Sequence, residues 1–150
     1  MDYRVIGMEG SASFDEIVSY FLSVKSEVVL MDPNMVLGKD HIISSAMHAE
    51  RSFAEGTNRS KTLMTEILLY AAWERQISKA LSKMRPKNNT YVALLIDAND
   101  PIILPKGMVR NDSLIDATPD KAHALGLIDN GISYEEQAIE NVAMVELLKF

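Results

Sequence analysis

The first part of the chain carries short apolar runs separated by a helical repeat of apolar positions. Val5-Ile6-Gly7-Met8 predicts a short strand, and Glu27–Met31 predicts a buried strand stopped by Asp32-Pro33-Asn34. Between them, Ser13 is placed to cap a helix whose apolar residues recur every three or four positions. The chain is therefore predicted to open with a strand, a helix and a second strand.

The middle of the chain predicts two helices and the strongest strand. One helix is predicted from about Lys39 to Glu55, with Gly56 placed to end it. The next and longest helix is predicted from about Ser60 to Met84. Its middle is apolar nearly all round, so it should be the central and most enclosed helix. The strongest strand signal follows at Tyr91–Ile96.

The last third predicts mainly helix. Ile102-Ile103-Leu104 could add a short edge strand, and a short helix is predicted near Pro119 to Leu125. A longer helix is predicted from about Tyr134 to the C-terminus, with Ser133 as its cap. Few strands and long helices predict an α+β fold: a small mixed sheet covered by several helices, with a long central helix and a C-terminal helix. A length of 150 residues with 47% hydrophobic residues fits a single domain over residues 1–150.

The predicted C-terminal helix is apolar on two sides. Val142 and Val145 lie on one side of a helical projection, whereas Met144 and Leu147 lie opposite and Leu148 lies between the two. A surface helix normally buries one stripe, so a second apolar stripe indicates a surface that binds another protein. Deep burial of this helix in the chain's own core is the alternative interpretation.

Cations recur along one side of the predicted long helix. At 100° per residue its lysines and arginine fall within an arc of about 80°, and they could contact an RNA backbone. A solvated charged face explains the same spacing. The formal net charge of -6 argues against general nucleic-acid binding, so any RNA contact must be local. The residues of this cationic ridge are Arg59, Lys61, Arg75, Lys79 and Lys83.

The sequence predicts no catalytic, metal or cofactor site. It contains no glycine-rich phosphate loop, zinc helix or serine elbow. His41 and His48 would lie about 10 Å apart along a helix, too far to share a zinc ion. The absence of cysteine excludes disulfides and favours a reducing, cytoplasmic location. No segment approaches the roughly 18 apolar residues of a membrane span.

Two groups of segments carry a resemblance to a known family. The first comprises Met31–His41 and Ala46–Phe53, a strand, a turn and a helix entered through Gly38. The second comprises Ser60–Leu63, Glu66–Ala72 and Arg75–Leu81. In order and size these segments, with the apolar C-terminal helix, resemble the kinase-binding subunit of the KEOPS complex. This family is also called the PRPK-binding protein family, and the chain is similar to its archaeal members.

The resemblance implies a function as well as a fold. Members of this family are not enzymes and use no cofactor; they bind the small atypical kinase of KEOPS on its N-terminal lobe. They support formation of threonylcarbamoyl-adenosine in tRNA, and archaeal members are implicated in gripping the tRNA acceptor end. On this chain the resemblance implies kinase binding through Val142, Val145 and Leu148. It also implies RNA binding through the cationic ridge.

Two other functions remain open on the sequence. A small hydrolytic or metabolic enzyme could have its site at the strand end near Asp97, if His41 or His123 lay beside it. A homo-oligomeric scaffold could pair the C-terminal helix with the same helix of a second copy. A turn beside Pro101 is the plainer explanation of Asp97 and Asp100.

Overall fold

A four-stranded sheet lies at the centre of the fold. The computed structural model describes residues 1–148. The strands are β1 (Tyr3–Gly10), β2 (Glu27–Met31), β3 (Thr90–Ile96) and β4 (Met108–Arg110), in the order β2-β3-β1-β4. Each pair of neighbouring strands in this described part is antiparallel, so the sheet is not mixed as predicted. The reason is that β3 lies between β1 and β2 and runs opposite to both.

Six α-helices accompany the sheet in residues 1–148, which confirms the predicted α+β class. The strand–helix–strand opening is also confirmed, and the second helix has the predicted bounds. Ser13 forms a capping box with Glu16, and Gly56 ends the second helix with φ of 73°. The helices are α1 (Phe14–Ser23), α2 (Lys39–Glu55), α3 (Leu63–Ala72), α4 (Ile77–Met84), α5 (Pro119–Ala124) and α6 (Tyr134–Leu148).

The two faces of the sheet bury different sets of side chains. Alternate residues of a strand point to opposite faces, so Val92 and Leu94 join one cluster while Ala93 and Leu95 join another. The first cluster is the main core, which contains buried residues of α2, α3, α4 and α6. The second cluster is covered by α1, mainly through Ile17 and Phe21. Both faces of the sheet are therefore covered by apolar side chains.

The predicted long central helix is wrong, because the chain breaks between α3 and α4. Trp73 ends α3 in the left-handed conformation, with φ of 58°. Lys83 Nζ donates to the carbonyl of Ala72 at 2.6 Å, although these residues are 11 positions apart. A continuous helix would separate them by about 16 Å along its axis. Thus α4 folds back on α3, and the two helices form a hairpin.

The predicted edge strand at Ile102–Leu104 is also wrong. This segment has no strand conformation, and the outer strand beside β1 is β4. The Tyr20 hydroxyl donates to the Ile103 carbonyl at 2.7 Å and thereby holds the segment against α1. The predicted cap of the last helix is confirmed, since Ser133 Oγ accepts from the Glu136 amide at 3.1 Å. The last two residues of that predicted helix, 149 and 150, lie outside the described residues.

Candidate protein-docking and nucleic-acid interface

Helix α6 buries one apolar side and exposes the other. Val142 and Val145 are completely buried in the main core, so the prediction that they form an outward stripe is wrong. The exposed surface of α6 carries Met144, Leu147 and Leu148, whose exposed fractions are 50%, 71% and 43%. We call these three residues the α6 stripe. Leu148 therefore lies on the exposed surface as predicted, while its role in binding stays a prediction.

Two glutamates of α6 attach this helix to α2 and α3. Near its start, Glu135 Oε2 accepts a hydrogen bond from the Asp40 amide at 2.9 Å. Near its end, Glu146 Oε1 accepts from the Tyr70 hydroxyl at 2.6 Å and lies 3.3 Å from His48 Nδ1. Since the starts of α2 and α6 meet and their later turns also meet, the two helices run side by side in the same direction. The α6 stripe is thus presented by a helix held at both ends.

The Tyr70–Glu146 contact keeps its proton on the tyrosine. Burial raises the pKa of Tyr70, and the hydrogen bond to Glu146 raises this pKa further. The phenol therefore remains a donor at any physiological pH. His48 of α2 stacks on the same ring, with 5.3 Å between ring centroids, so side chains of α2, α3 and α6 meet at this contact.

The cationic ridge was predicted on one continuous helix. It is not one straight row, because the chain breaks between α3 and α4. Arg59 and Lys61 lie in the loop before α3, Arg75 lies in the bend, and Lys79 lies on α4; all four are exposed. Lys83 differs from them. It is half-buried with its ammonium 4.9 Å from the centre of the Trp73 ring, and burial lowers the pKa of Lys83. Lys83 thus connects α4 to the end of α3 within the hairpin.

A buried carboxylate that the sequence analysis missed shapes the loop carrying two of these cations. Glu66 is fully buried in α3 and accepts from the amides of Arg59 and Ser60, each at 3.0 Å. It also accepts from the hydroxyls of Ser52 at 2.9 Å and Ser60 at 3.1 Å. The sequence signal for this carboxylate was a glutamate inside an apolar helical segment. Such a position indicates a buried charge, and a buried charge requires several hydrogen-bond partners. Glu66 therefore holds Arg59 and Lys61 in a defined loop.

The residues of the alternative enzyme site do not come together. His41 is buried between the Leu37 amide and the Ala71 carbonyl. Asp97 accepts from the Asp2 amide at 2.9 Å, with its own φ at 56°. His123 Nε2 lies 3.4 Å from Asp129, in a different part of the chain.

Among residues 1–148, no three histidines or carboxylates are grouped so that they could hold a metal ion. Within the same residues, no helix combines the length and the apolar character that crossing a bilayer demands.

The fold and its surfaces define an α+β protein that presents an apolar stripe on its last helix. The sequence profile of the family described as kinase binding protein CGI-121 matches residues 12–149. The chain belongs to this family, which is the KEOPS kinase-binding subunit family predicted from the motifs. No curated protein matches the chain with significance.

Proposed function

We propose that this chain is a non-catalytic, cytoplasmic accessory subunit of the KEOPS tRNA-modifying complex, which forms threonylcarbamoyl-adenosine. Membership of a kinase-binding family supports a protein partner, and the small atypical kinase of KEOPS is the partner we assign. The observation that carries the proposal is the exposed α6 stripe. Three large apolar side chains on adjacent turns of one helix are typical of a helix face that another protein covers.

Helix α2, which runs beside α6, also exposes a large apolar side chain. Met47 of α2 is 60% exposed and precedes His48, which contacts Glu146 of α6. An apolar side chain therefore also occurs on the helix that runs alongside the α6 stripe. The flexible methionine side chain adapts to an uneven partner surface, and burial of apolar side chains contributes about 25 cal/mol per Å² of apolar area. We expect Leu147, the most exposed of the stripe, to contribute most.

A charge placed in the α6 stripe tests the docking. Leu147→Glu should weaken kinase binding at least tenfold, because a carboxylate would be buried without a partner in the complex. Its thermal unfolding should match that of the unchanged protein, since Leu147 makes little contact with the core. Isothermal titration with the purified kinase measures the affinity, and circular dichroism measures the melting temperature.

The chain offers a matched control for this variant. Val109 of β4 is also an exposed aliphatic residue, at 60%, and lies on the sheet edge rather than on α6. Val109→Glu adds the same charge and should leave kinase binding unchanged. Equal affinity of Leu147→Glu and the unchanged protein would refute docking through the α6 stripe.

We further propose that tRNA, at its acceptor end, contacts the exposed members of the cationic ridge. The loop held by Glu66 presents Arg59 and Lys61, and the α3–α4 hairpin presents Arg75 and Lys79. Two cations replaced together, Lys61→Glu and Lys79→Glu, should weaken tRNA binding and reduce its dependence on salt. Lys106→Glu, an exposed lysine outside the ridge, is the control. Filter binding over a salt series measures both quantities, and unaltered binding of the double variant would remove the RNA contact.

Self-association is the second candidate, because the same exposed stripe could pair with a second copy. Light scattering on the isolated protein separates the two. A monomer that forms a 1:1 complex with the kinase supports the accessory subunit. A stable dimer that the kinase does not dissociate supports the homo-oligomeric scaffold.

A further inference from the structure

The methionines of this chain range from fully buried to largely exposed. The sequence has nine methionines and no cysteine, so thioethers are its only sulfur groups. Met8, Met31 and Met84 are buried in the two cores, whereas Met144 is half exposed. A dissolved oxidant therefore has access to the Met144 side chain and is kept from the methionines of the cores. The other exposed methionines are Met1, Met47 and Met64.

Met144 differs from the other exposed methionines because it lies in the α6 stripe itself. It precedes Leu147 by three positions and Leu148 by four, which puts these side chains on the same face of α6. In the docked complex the Met144 thioether would lie among apolar groups. A change in the polarity of this one side chain would alter the middle of the contact.

We propose that Met144 is an oxidation site that controls docking, an inference that rests on the proposed function. The Met144 sulfur attacks a peroxide such as H₂O₂ through its lone pair, the O–O bond breaks, and one oxygen is transferred to sulfur. The products are methionine sulfoxide and water, so sulfur is oxidised and the peroxide is reduced. Reduction by methionine sulfoxide reductases restores the thioether, and the change is therefore reversible.

The sulfoxide disfavours docking for a simple physical reason. Its oxygen is a strong hydrogen-bond acceptor, which water satisfies on the free protein. Docking against an apolar surface would remove that water without supplying a donor. We expect the oxidised protein to bind the kinase at least tenfold more weakly. The fold should persist, because the oxidised sulfur lies outside the core.

The experiment oxidises this chain alone and then measures binding. The protein is treated with H₂O₂, the peroxide is removed with catalase, and untreated kinase is titrated in. Peptide mass spectrometry should find the added oxygen on exposed methionines, including Met144, and not on Met8, Met31 or Met84. The affinity for the kinase should fall at least tenfold. It should return after treatment with the two methionine sulfoxide reductases, one for each epimer of the sulfoxide. Circular dichroism should be unchanged.

Met144→Leu is the decisive variant. Leucine lacks sulfur, so peroxide should not change the affinity of this variant for the kinase, whatever affinity it has before treatment. Met64→Leu is the matched control and should lose binding after peroxide as the unchanged protein does. Loss of binding by oxidised Met144→Leu would overturn the proposal, and so would undiminished binding of the unchanged protein once Met144 is oxidised. If the unchanged protein fails to bind the kinase before any treatment, the docking itself is refuted, and the oxidation proposal with it.

Discussion

His41 is completely buried in α2, and its two ring nitrogens contact different backbone groups. Nδ1 accepts from the Leu37 amide at 3.0 Å, so the hydrogen of the neutral ring is on Nε2, which donates to the Ala71 carbonyl at 2.9 Å. A second proton would place an N–H group against the Leu37 N–H. Burial lowers the pKa of His41 from 6.5 to about 4.

The stability of the protein should therefore fall in mild acid. Between pH 6.5 and about 4 the unfolded chain binds a proton on His41 that the folded chain does not. The stabilisation is complete above pH 6.5 and is lost as the pH falls toward 4. From pH 7 to pH 5 we expect the free energy of unfolding to drop by about 2 kcal/mol. Urea unfolding at several pH values measures this drop.

Two variants separate His41 from the other titrating groups. His41→Gln should lower stability overall yet show a flatter dependence on pH, because the titrating ring is gone. His123→Gln, at an exposed position, should keep the dependence of the unchanged protein. The same pH dependence in His41→Gln and the unchanged protein would contradict the assignment.

At the scale of elements, the N-terminus of α2 is capped by a side chain from another helix, α6. The residue before α2 is Gly38, which has no side chain to cap the free amides. Glu135 of α6 reaches the Asp40 amide instead, and its charge complements the helix dipole. Gly38 is required here, since its φ is 99° and a Cβ would lie 2.0 Å from Glu135 Oε2.

Removal of this cap should loosen the start of α2. Glu135→Ala should lower the free energy of unfolding by about 1 kcal/mol and speed hydrogen exchange of the Asp40 amide. Glu140→Ala, an exposed position on the same helix, should change neither. Urea unfolding and amide exchange measured by NMR provide the two numbers. Unchanged exchange at Asp40 in Glu135→Ala would show that the cap contributes nothing.

Elements with local end signals could be predicted from the sequence. Ser13 and Gly56 mark helix ends through their own hydrogen bonds and backbone preferences, and α1 and α2 were found there. The α3–α4 break has no such signal, because Trp73 replaces the glycine or proline that would mark a turn. Trp73 has a left-handed backbone, and next to it Lys83 of α4 donates a hydrogen bond to the Ala72 carbonyl. This contact between distant residues cannot be seen in a local pattern.

The same limit applies to the candidate site. A helical projection shows that α6 is apolar on both sides, but it does not show which side meets the main core. Glu135 and Glu146 bind α2 and α3 on the side of α6 where Val142 is buried, and Leu147 lies on the exposed surface. The existence of a second apolar stripe was therefore predictable from α6 itself. Which of the two sides is exposed depends on contacts with residues that are distant in the sequence.

At the scale of the whole molecule, the main core and a smaller cluster share one side chain. Trp73 packs against the main core and also against a cluster formed by Leu37, Ala122 and Ala138, which joins α5 to the start of α6. It is the chain's only tryptophan, so its fluorescence reports on this junction. Loss of either cluster would expose the Trp73 ring to water.

One cooperative unfolding transition should follow from this arrangement. The sheet buries residues on both faces, and Trp73 links the α5–α6 region to the same core, so no part can open far without exposing another. In urea, the midpoint from Trp73 fluorescence should equal the midpoint from far-ultraviolet circular dichroism. Leu147→Glu should unfold at that midpoint too, because the α6 stripe takes no part in the core. Two separate midpoints would mean that the α5–α6 region opens independently, and the α6 stripe would then lack the rigid support that docking requires.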